Sequence, residues 1–315
     1  MTDKSQLITI IIPFLNEEEN LPIIYSRCEN VSNKIHIQFE YLFIDDGSSD
    51  KSIEIVKNLT LKNNNVKYIQ FSRNFGHQKA ITAGLKYCSG DAAIIIDADL
   101  QDPPEEIENL INKWKQGFDV VHAVRSKRKG EPRIKKVFAH IFYRIMSRIT
   151  EIHMTVDSGD FRLINRKAID ALNSMPEQHR YMRGLAAWIG FNQGYINYVR
   201  DARLSGKTKY PFIKSLSLAL NAITSFSGTP LRIIFYLGNF LCLISLAVAI
   251  YVFVAWNFIE QKIPAHAGTT YLTLAIFFVS GLQMLCMGIL SQYIRRVFDE
   301  IKNRPLFIIK DTNIK

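Results

Sequence analysis

The sequence predicts an α/β domain with a mostly parallel sheet, followed by an interfacial amphipathic helix and two transmembrane helices. Two observations carry that expectation. Over residues 1–124, short apolar runs rich in Ile, Val and Phe alternate with helical patterns, the signature of βαβ units. Beyond residue 230 lie two almost uncharged stretches, 233–256 and 271–290. Each reaches the roughly 20 residues that cross a hydrocarbon core of about 30 Å as a helix.

The elements follow in order. Leu7 to Phe14 reads as an apolar strand, with Asn16 placed to cap a helix that opens on Glu17-Glu18-Glu19. Phe39 to Ile44 is the next strand, then Asp45-Asp46-Gly47-Ser48-Ser49 and a helix through Leu59. Val66 to Phe71, with a helix from His77 to Tyr87, repeats the unit. Ala92 to Ile96, the helix Pro104 to Lys115 and the strand Phe118 to Val124 complete the alternation. In such sheets ligands bind beyond the carboxyl ends of the strands. A basic helical stretch, 134–150, leads to the turn Asp157-Ser158-Gly159-Asp160 and a short strand. Tyr181 to Trp188 reads as helix and Tyr195 to Val199 as extended chain.

Pro211 to Ser227 is apolar and hydroxyl-rich with one lysine, the pattern of a helix lying in a membrane interface. The expected organisation is a globular domain over 1–210, the interfacial helix over 211–230, a two-helix hairpin over 231–294 and a basic tail over 295–315. Lys262 is the one fixed cation between the spans, whereas Arg232 precedes them and Arg295, Arg296, Lys302 and Arg304 follow. That asymmetry puts the globular domain and both termini on the cytoplasmic side of a multi-pass membrane protein. No signal-peptide pattern opens the chain. The four cysteines, Cys28, Cys88, Cys242 and Cys286, show no paired spacing, which argues against a disulfide framework or a zinc site.

The most informative segment is Asp97-Ala98-Asp99-Leu100-Gln101, directly after a buried-strand pattern. Two carboxylates two residues apart, with the amide of Gln101 two further on, suit a hard cation such as Mg²⁺ or Mn²⁺. Such an ion would neutralise a diphosphate leaving group. The same carboxylates also suit the start of the following helix. Asp45-Asp46-Gly47-Ser48 has its own plain reading as a turn and helix cap. Pro13-Phe14-Leu15-Asn16-Glu17, Asp45-Asp46 and the acidic segment each follow a strand of one inferred sheet, so all three can surround one nucleotide.

The chain carries a net charge of +10. Much of it sits in Arg125, Lys127, Arg128, Lys129, Arg133, Lys135 and Lys136, and in Arg200, Arg203, Lys207 and Lys209. These sets suit an anionic membrane surface or a phosphate clamp, and the second lies where lipid headgroups would be. Nucleic acid would explain the charge but neither the spans nor the acidic segment. No GxGxxG follows a strand. Ser205-Gly206-Lys207-Thr208 lacks the first glycine of a P-loop, because Asp201 stands there.

Taken together these segments resemble family 2 glycosyltransferases, in particular the two-span polyprenyl-phosphate glycosyltransferases. The chain is similar to the bactoprenol glucosyltransferases and, more distantly, to dolichyl-phosphate mannose synthases. The residues that carry the resemblance are Pro13 to Glu18, Asp45 to Ser48, Ser72 to Gln78, Asp97 to Glu105, Asp157 to Arg162, Arg200 to Tyr210 and the paired spans. It implies a GT-A domain moving a sugar from a nucleotide-diphosphate donor, UDP-linked, to undecaprenyl phosphate with inversion. It further implies metal residues at Asp97, Asp99 and Gln101 and nucleotide contacts at Pro13, Glu17, Asp45 and Asp97. Acceptor-phosphate cations fall at Arg125, Arg128, Arg200, Arg203 and Lys209, and Asp99 and Asp157 act in catalysis. Self-association as a homo-oligomer is a further implication. A processive synthase would need more spans and a Gln-x-x-Arg-Trp motif, and Gln178-His179-Arg180-Tyr181 has the wrong spacing. A non-enzymatic membrane-anchored sugar-nucleotide-binding scaffold would be expected to have lost its acidic ligands, which this chain keeps.

Overall fold

The computed structural model describes residues 6–127, 158–199, 229–258 and 265–314. Eight strands form one sheet: β1 (Ile8–Phe14), β2 (Phe39–Asp45), β3 (Val66–Phe71), β4 (Ala92–Ile95), β5 (Val120–Lys127), β6 (Ser158–Asn165), β7 (Gln193–Val199) and β8 (Ile309–Thr312). Their order is β7-β5-β6-β4-β1-β2-β3-β8. β1 pairs parallel with β2 and β4, β2 with β3, and β5 with β7. β6 runs antiparallel between β4 and β5, and β8 antiparallel to β3. Every residue of β1 and β2 is buried. That is why both read as continuous apolar runs: parallel strands covered on both faces need no polar side.

Among the described residues six helices belong to this unit: α1 (Leu21–Ile35), α2 (Ser52–Lys62), α3 (His77–Tyr87), α4 (Ile107–Trp114), α5 (Arg166–Ser174) and α6 (Met182–Trp188). A 3₁₀ turn, Pro104–Glu106, leads into α4. Leu21, Ile24, Cys28 and Val31 place one face of α1 in the core with Ile8, Ile10, Phe39 and Tyr41. Burying such a stripe is the main stabilising term for a helix on a sheet.

The first helix starts later than the sequence pattern predicts. Asn16 is left-handed (φ 55°), and its Oδ1 accepts from the Ser49 amide at 2.8 Å rather than capping its own segment. The helix begins at Leu21, with Pro22 in its first turn. α5 went unforeseen; Asn165 caps it, accepting from the Ala168 amide at 2.8 Å. The largest departure is at the C-terminus. Ile309–Thr312, expected within a basic tail, is a strand paired with β3, so one sheet draws on chain from both sides of the long helices.

Those helices, α7 (Thr229–Phe258) and α8 (Ala265–Ile301), form a separate unit over 218–303. Within α8, Ala275–Ile301 is long and apolar enough to cross a membrane; the apolar run Ile233–Ala247 in α7 is shorter than that test requires. Among the described residues one of the two expected spans therefore meets the criterion. The helix 134–150, the interfacial helix 211–227, Arg128, Asp157, Arg200, Arg203 and Lys209 lie outside the described residues.

Candidate functional site

The carboxyl ends of β1, β2 and β4 share one edge of the sheet. Pro13 pairs with Ile44 and Phe14 with Asp45 at the ends of β1 and β2, and Asp97 stands two residues beyond the end of β4. Because β6 runs the other way, its start brings Gly159 and Asp160 to the same edge.

Two loops are bound together there. Asn16 and Glu17 donate backbone amides to Ser48 Oγ (3.0 Å) and Ser52 Oγ (2.9 Å). Glu17 Oε2 accepts from Asn20 Nδ2 at 2.7 Å. Asp45 is fully buried; its Oδ1 accepts from the Ser48 amide at 2.8 Å, and its Oδ2 has no hydrogen-bond partner among the described residues. Asp46 turns the other way and accepts from the amides of Phe75 (2.7 Å) and Gly76 (3.0 Å). Burial raises its pKa although those amides oppose the shift. Gly47 sits at φ +79°, where a Cβ would stand 2.6 Å from the carbonyl carbon of Arg73. The loops meet backbone to backbone, and only glycine fits between them.

The acidic segment alternates. Ala98 and Leu100 are buried, Asp97 and Asp99 partly exposed. Leu100 is left-handed (φ 59°), a conformation costing a non-glycine residue about 1–3 kcal/mol. The turn it makes leaves both carboxylates partly exposed while its own side chain stays in the core. Asp99 Oδ1 accepts from the Gln101 amide at 3.1 Å, so the backbone of Gln101 orients Asp99.

Behind Asp97 lies a charged network. His77 Nε2 is 3.4 Å from Asp97 Oδ1 and 3.4 Å from Asp160 Oδ2, and neither His77 Nε2 nor Asp97 Oδ1 completes a hydrogen bond among the described residues. Arg183 grips Asp160 through Nε (3.0 Å) and Nη2 (3.1 Å). Burial pulls the His77 imidazole down, but Asp97 and Asp160 outweigh it and hold it at about 9. Burial pushes the Asp97 carboxyl up to about 6 against the pull of His77. Burial disfavours the Asp160 charge as well, yet Arg183 and His77 hold that carboxyl well below its usual range.

Arg125 is mostly buried. Its Nη2 lies 3.9 Å from Asp102 Oδ1, and its Nε donates to the Tyr198 hydroxyl at 3.2 Å. Tyr198 in turn donates to Asp102. Gly159 makes room for the guanidinium, since a Cβ there would be 2.6 Å from Nη2. Arg125 thus braces the acidic loop from behind.

The donor set fits a hard cation. Asp97 and Asp99 are partly exposed carboxylates two residues apart, and a hard ion held by one or two carboxylates completes its shell with phosphate and water. No cluster of three or more metal-binding side chains occurs among the described residues. Of the predicted site residues, the structure brings Pro13, Asp45, Asp97, Asp99 and Gln101 to one edge, with Glu17 on the adjoining loop. Sequence reading assigned no role to His77, Asp160 or Arg183. Their signal was their place inside two quoted segments, Ser72–Gln78 and Asp157–Arg162, but the contact between those segments is tertiary.

A family model described as Glycosyl transferase family 2 matches residues 9–172. The uncharacterized glycosyltransferase YkcC of Bacillus subtilis is 44% identical over 96% of this chain and 93% of its own. The bactoprenol glucosyl transferase of Shigella phage SfII is 37% identical over 97% and 98% of the two chains. The prophage bactoprenol glucosyl transferase homolog of Escherichia coli is 39% identical over 96% and 98%. The chain belongs to glycosyl transferase family 2, and its α/β domain is a GT-A fold.

Proposed function

We propose that this glycosyltransferase moves a hexosyl unit from a UDP-linked donor to undecaprenyl phosphate at the cytoplasmic face of the inner membrane, with inversion. The observation that carries the reading is the edge itself: Asp45 Oδ2, with no hydrogen-bond partner among the described residues, and the partly exposed Asp97 and Asp99, at the carboxyl ends of the two strands that flank β1. Carboxylate oxygens at that edge suit a cation and a ribose or base donor. The names of the phage and prophage relatives support the lipid acceptor.

In this reading Pro13, Glu17 and Asp45 receive the nucleoside, and Asp97 and Asp99, with Gln101, hold Mg²⁺ or Mn²⁺. The ion supplies charge neutralisation for the leaving diphosphate. Arg125, Arg128, Arg200, Arg203 and Lys209 take the acceptor phosphate. That phosphate is already anionic at neutral pH, so no strong base is needed. Asp157 orients the attacking oxygen or the sugar hydroxyls, and the rest of the rate enhancement is positioning.

Chain parity supports a two-span hairpin. β1–β7 precede the long helices and β8 follows them in the same sheet, so both flanks share one side of any membrane. A crossing by Ala275–Ile301 then requires a second crossing. α7, 30 residues long, is the other long helix among the described residues.

The test is transfer of radiolabelled sugar from a panel of UDP-sugars to undecaprenyl phosphate, in detergent, with Mn²⁺, Mg²⁺ or chelator. Metal-dependent label in the lipid is expected from one donor. Absence of transfer from every donor, beside an active control enzyme, would overturn the reading.

A further inference from the structure

We propose that Phe307, in the short segment between α8 and β8, is a positioning residue for the donor end of the site, acting through Phe71 and Phe75 on the Asp46 clamp. The inference rests on the reading of Asp45 as a nucleotide contact.

Three contacts build the path. Phe307 stacks on Phe71, the last residue of β3, with ring centroids 5.0 Å apart and planes 14° apart. Phe71 meets Phe75 edge to face at 5.7 Å and 87°. The amides of Phe75 and Gly76 hold Asp46, the neighbour of Asp45. Phe307 also reaches Tyr87, at the far end of α3, with centroids 6.5 Å apart. The backbone joins in where the loop starts, because the Ser72 amide donates to the Ile308 carbonyl at 3.0 Å. Residues 72–76 are therefore braced from outside by chain that arrives after the long helices.

The physical reason for such a brace is the geometry of the loop. Gly47 leaves no gap against Arg73, so a small displacement of residues 72–76 passes directly into residues 45–48. Aromatic pairs of this kind are stabilising beyond their burial. The rest of β8 is fastened at its other end. Asp311 accepts from Lys57 Nζ (2.6 Å) and Tyr68 OH (3.0 Å), and Asn313 binds both the Tyr68 amide and the Val66 carbonyl. Those contacts hold the strand without touching the loop. The two ends of the segment thus separate bracing from attachment.

The separation gives the experiment. Hydrogen exchange of the Phe75 and Gly76 amides, and UDP binding in the presence of Mn²⁺, are compared in the full-length wild type, Phe307→Ala, Phe307→Tyr and Asp311→Asn. In Phe307→Ala the two amides should exchange about tenfold faster and UDP should bind about fivefold more weakly. Phe307→Tyr should restore both. Asp311→Asn should lower the melting temperature while leaving loop exchange and UDP affinity unchanged. Unchanged loop exchange in Phe307→Ala, or equal acceleration in Asp311→Asn, would overturn the proposal. Should the wild type bind no UDP, the donor reading fails, and loop exchange still decides what Phe307 does.

Discussion

The two ends of the central strands treat buried carboxylates in opposite ways. At the amino end, Glu40 is almost fully buried, and both its oxygens are used. It accepts from Thr9 Oγ1 (2.5 Å), from the Ser89 amide (3.0 Å) and hydroxyl (2.6 Å), and from Lys67 Nζ. At the carboxyl end, Asp45 Oδ2 has no hydrogen-bond partner among the described residues, and Asp97 Oδ1 meets the His77 imidazole at 3.4 Å without completing a hydrogen bond. A buried charge with a full complement of donors fixes strands in place, whereas an incomplete one costs stability.

The sharpest way to break the comparison is at the open end. Asp97→Asn should lower sugar transfer by about 10²–10³-fold while the melting temperature of the metal-free protein holds or rises. A matching loss of stability would place Asp97 with Glu40 as a structural group. At the closed end Glu40→Ala should do the reverse. It leaves Lys67, Thr9 and Ser89 without their acceptor and should cost about 3 kcal/mol in denaturant unfolding, with the kinetics of the folded fraction unchanged.

Acid titration sharpens the contrast, because the signs differ. Burial works against Glu40, but the bonds from Lys67, Ser89 and Thr9 outweigh it and hold its pKa below the ordinary value. Its contribution is therefore present above the unfolded-state pKa and fades as pH falls through the depressed folded one. Asp97, raised to about 6, costs stability once ionised, and that cost disappears as pH falls from about 6 towards the unfolded value near 4. In chelator, Glu40→Gln should flatten the acid limb of the stability curve, and Asp97→Asn should raise stability mainly above pH 6. The smallest expected effect is Thr9→Val. It removes one bond to Glu40 and leaves the Gly90 amide, now 3.0 Å from Thr9 Oγ1, without an acceptor. About 1 kcal/mol should be lost, with transfer rates untouched.

The elements that were legible in the sequence are those with a local signal. β1 to β4 announce themselves as apolar runs, and α3 was expected over the same His77–Tyr87 that the structure shows. β8 was not legible. Ile309-Lys310-Asp311-Thr312 is short, polar at three of its four positions and separated from its partner β3 by more than 230 residues, so no local pattern marks it. Its pairing depends on a free sheet edge and on Asp311 meeting Lys57 and Tyr68. The start of α1 was misplaced for a related reason. Asn16 has the composition of a cap, but a tertiary partner, the Ser49 amide, takes its side chain.

The sequence by itself marked the acidic segment after β4, the paired aspartates after β2, and two apolar stretches with cations outside them. Carboxylates follow strands because the chain must turn there, and both facts are local. Only the tertiary structure decided which groups act together. It set His77 between Asp97 and Asp160, brought Arg183 onto Asp160, closed Asp102 with Tyr198 and Arg125, and returned the chain after α8 to the edge of β3. Each of those contacts joins segments far apart in sequence. Their energies depend on burial and approach distance, which exist only once the sheet has formed.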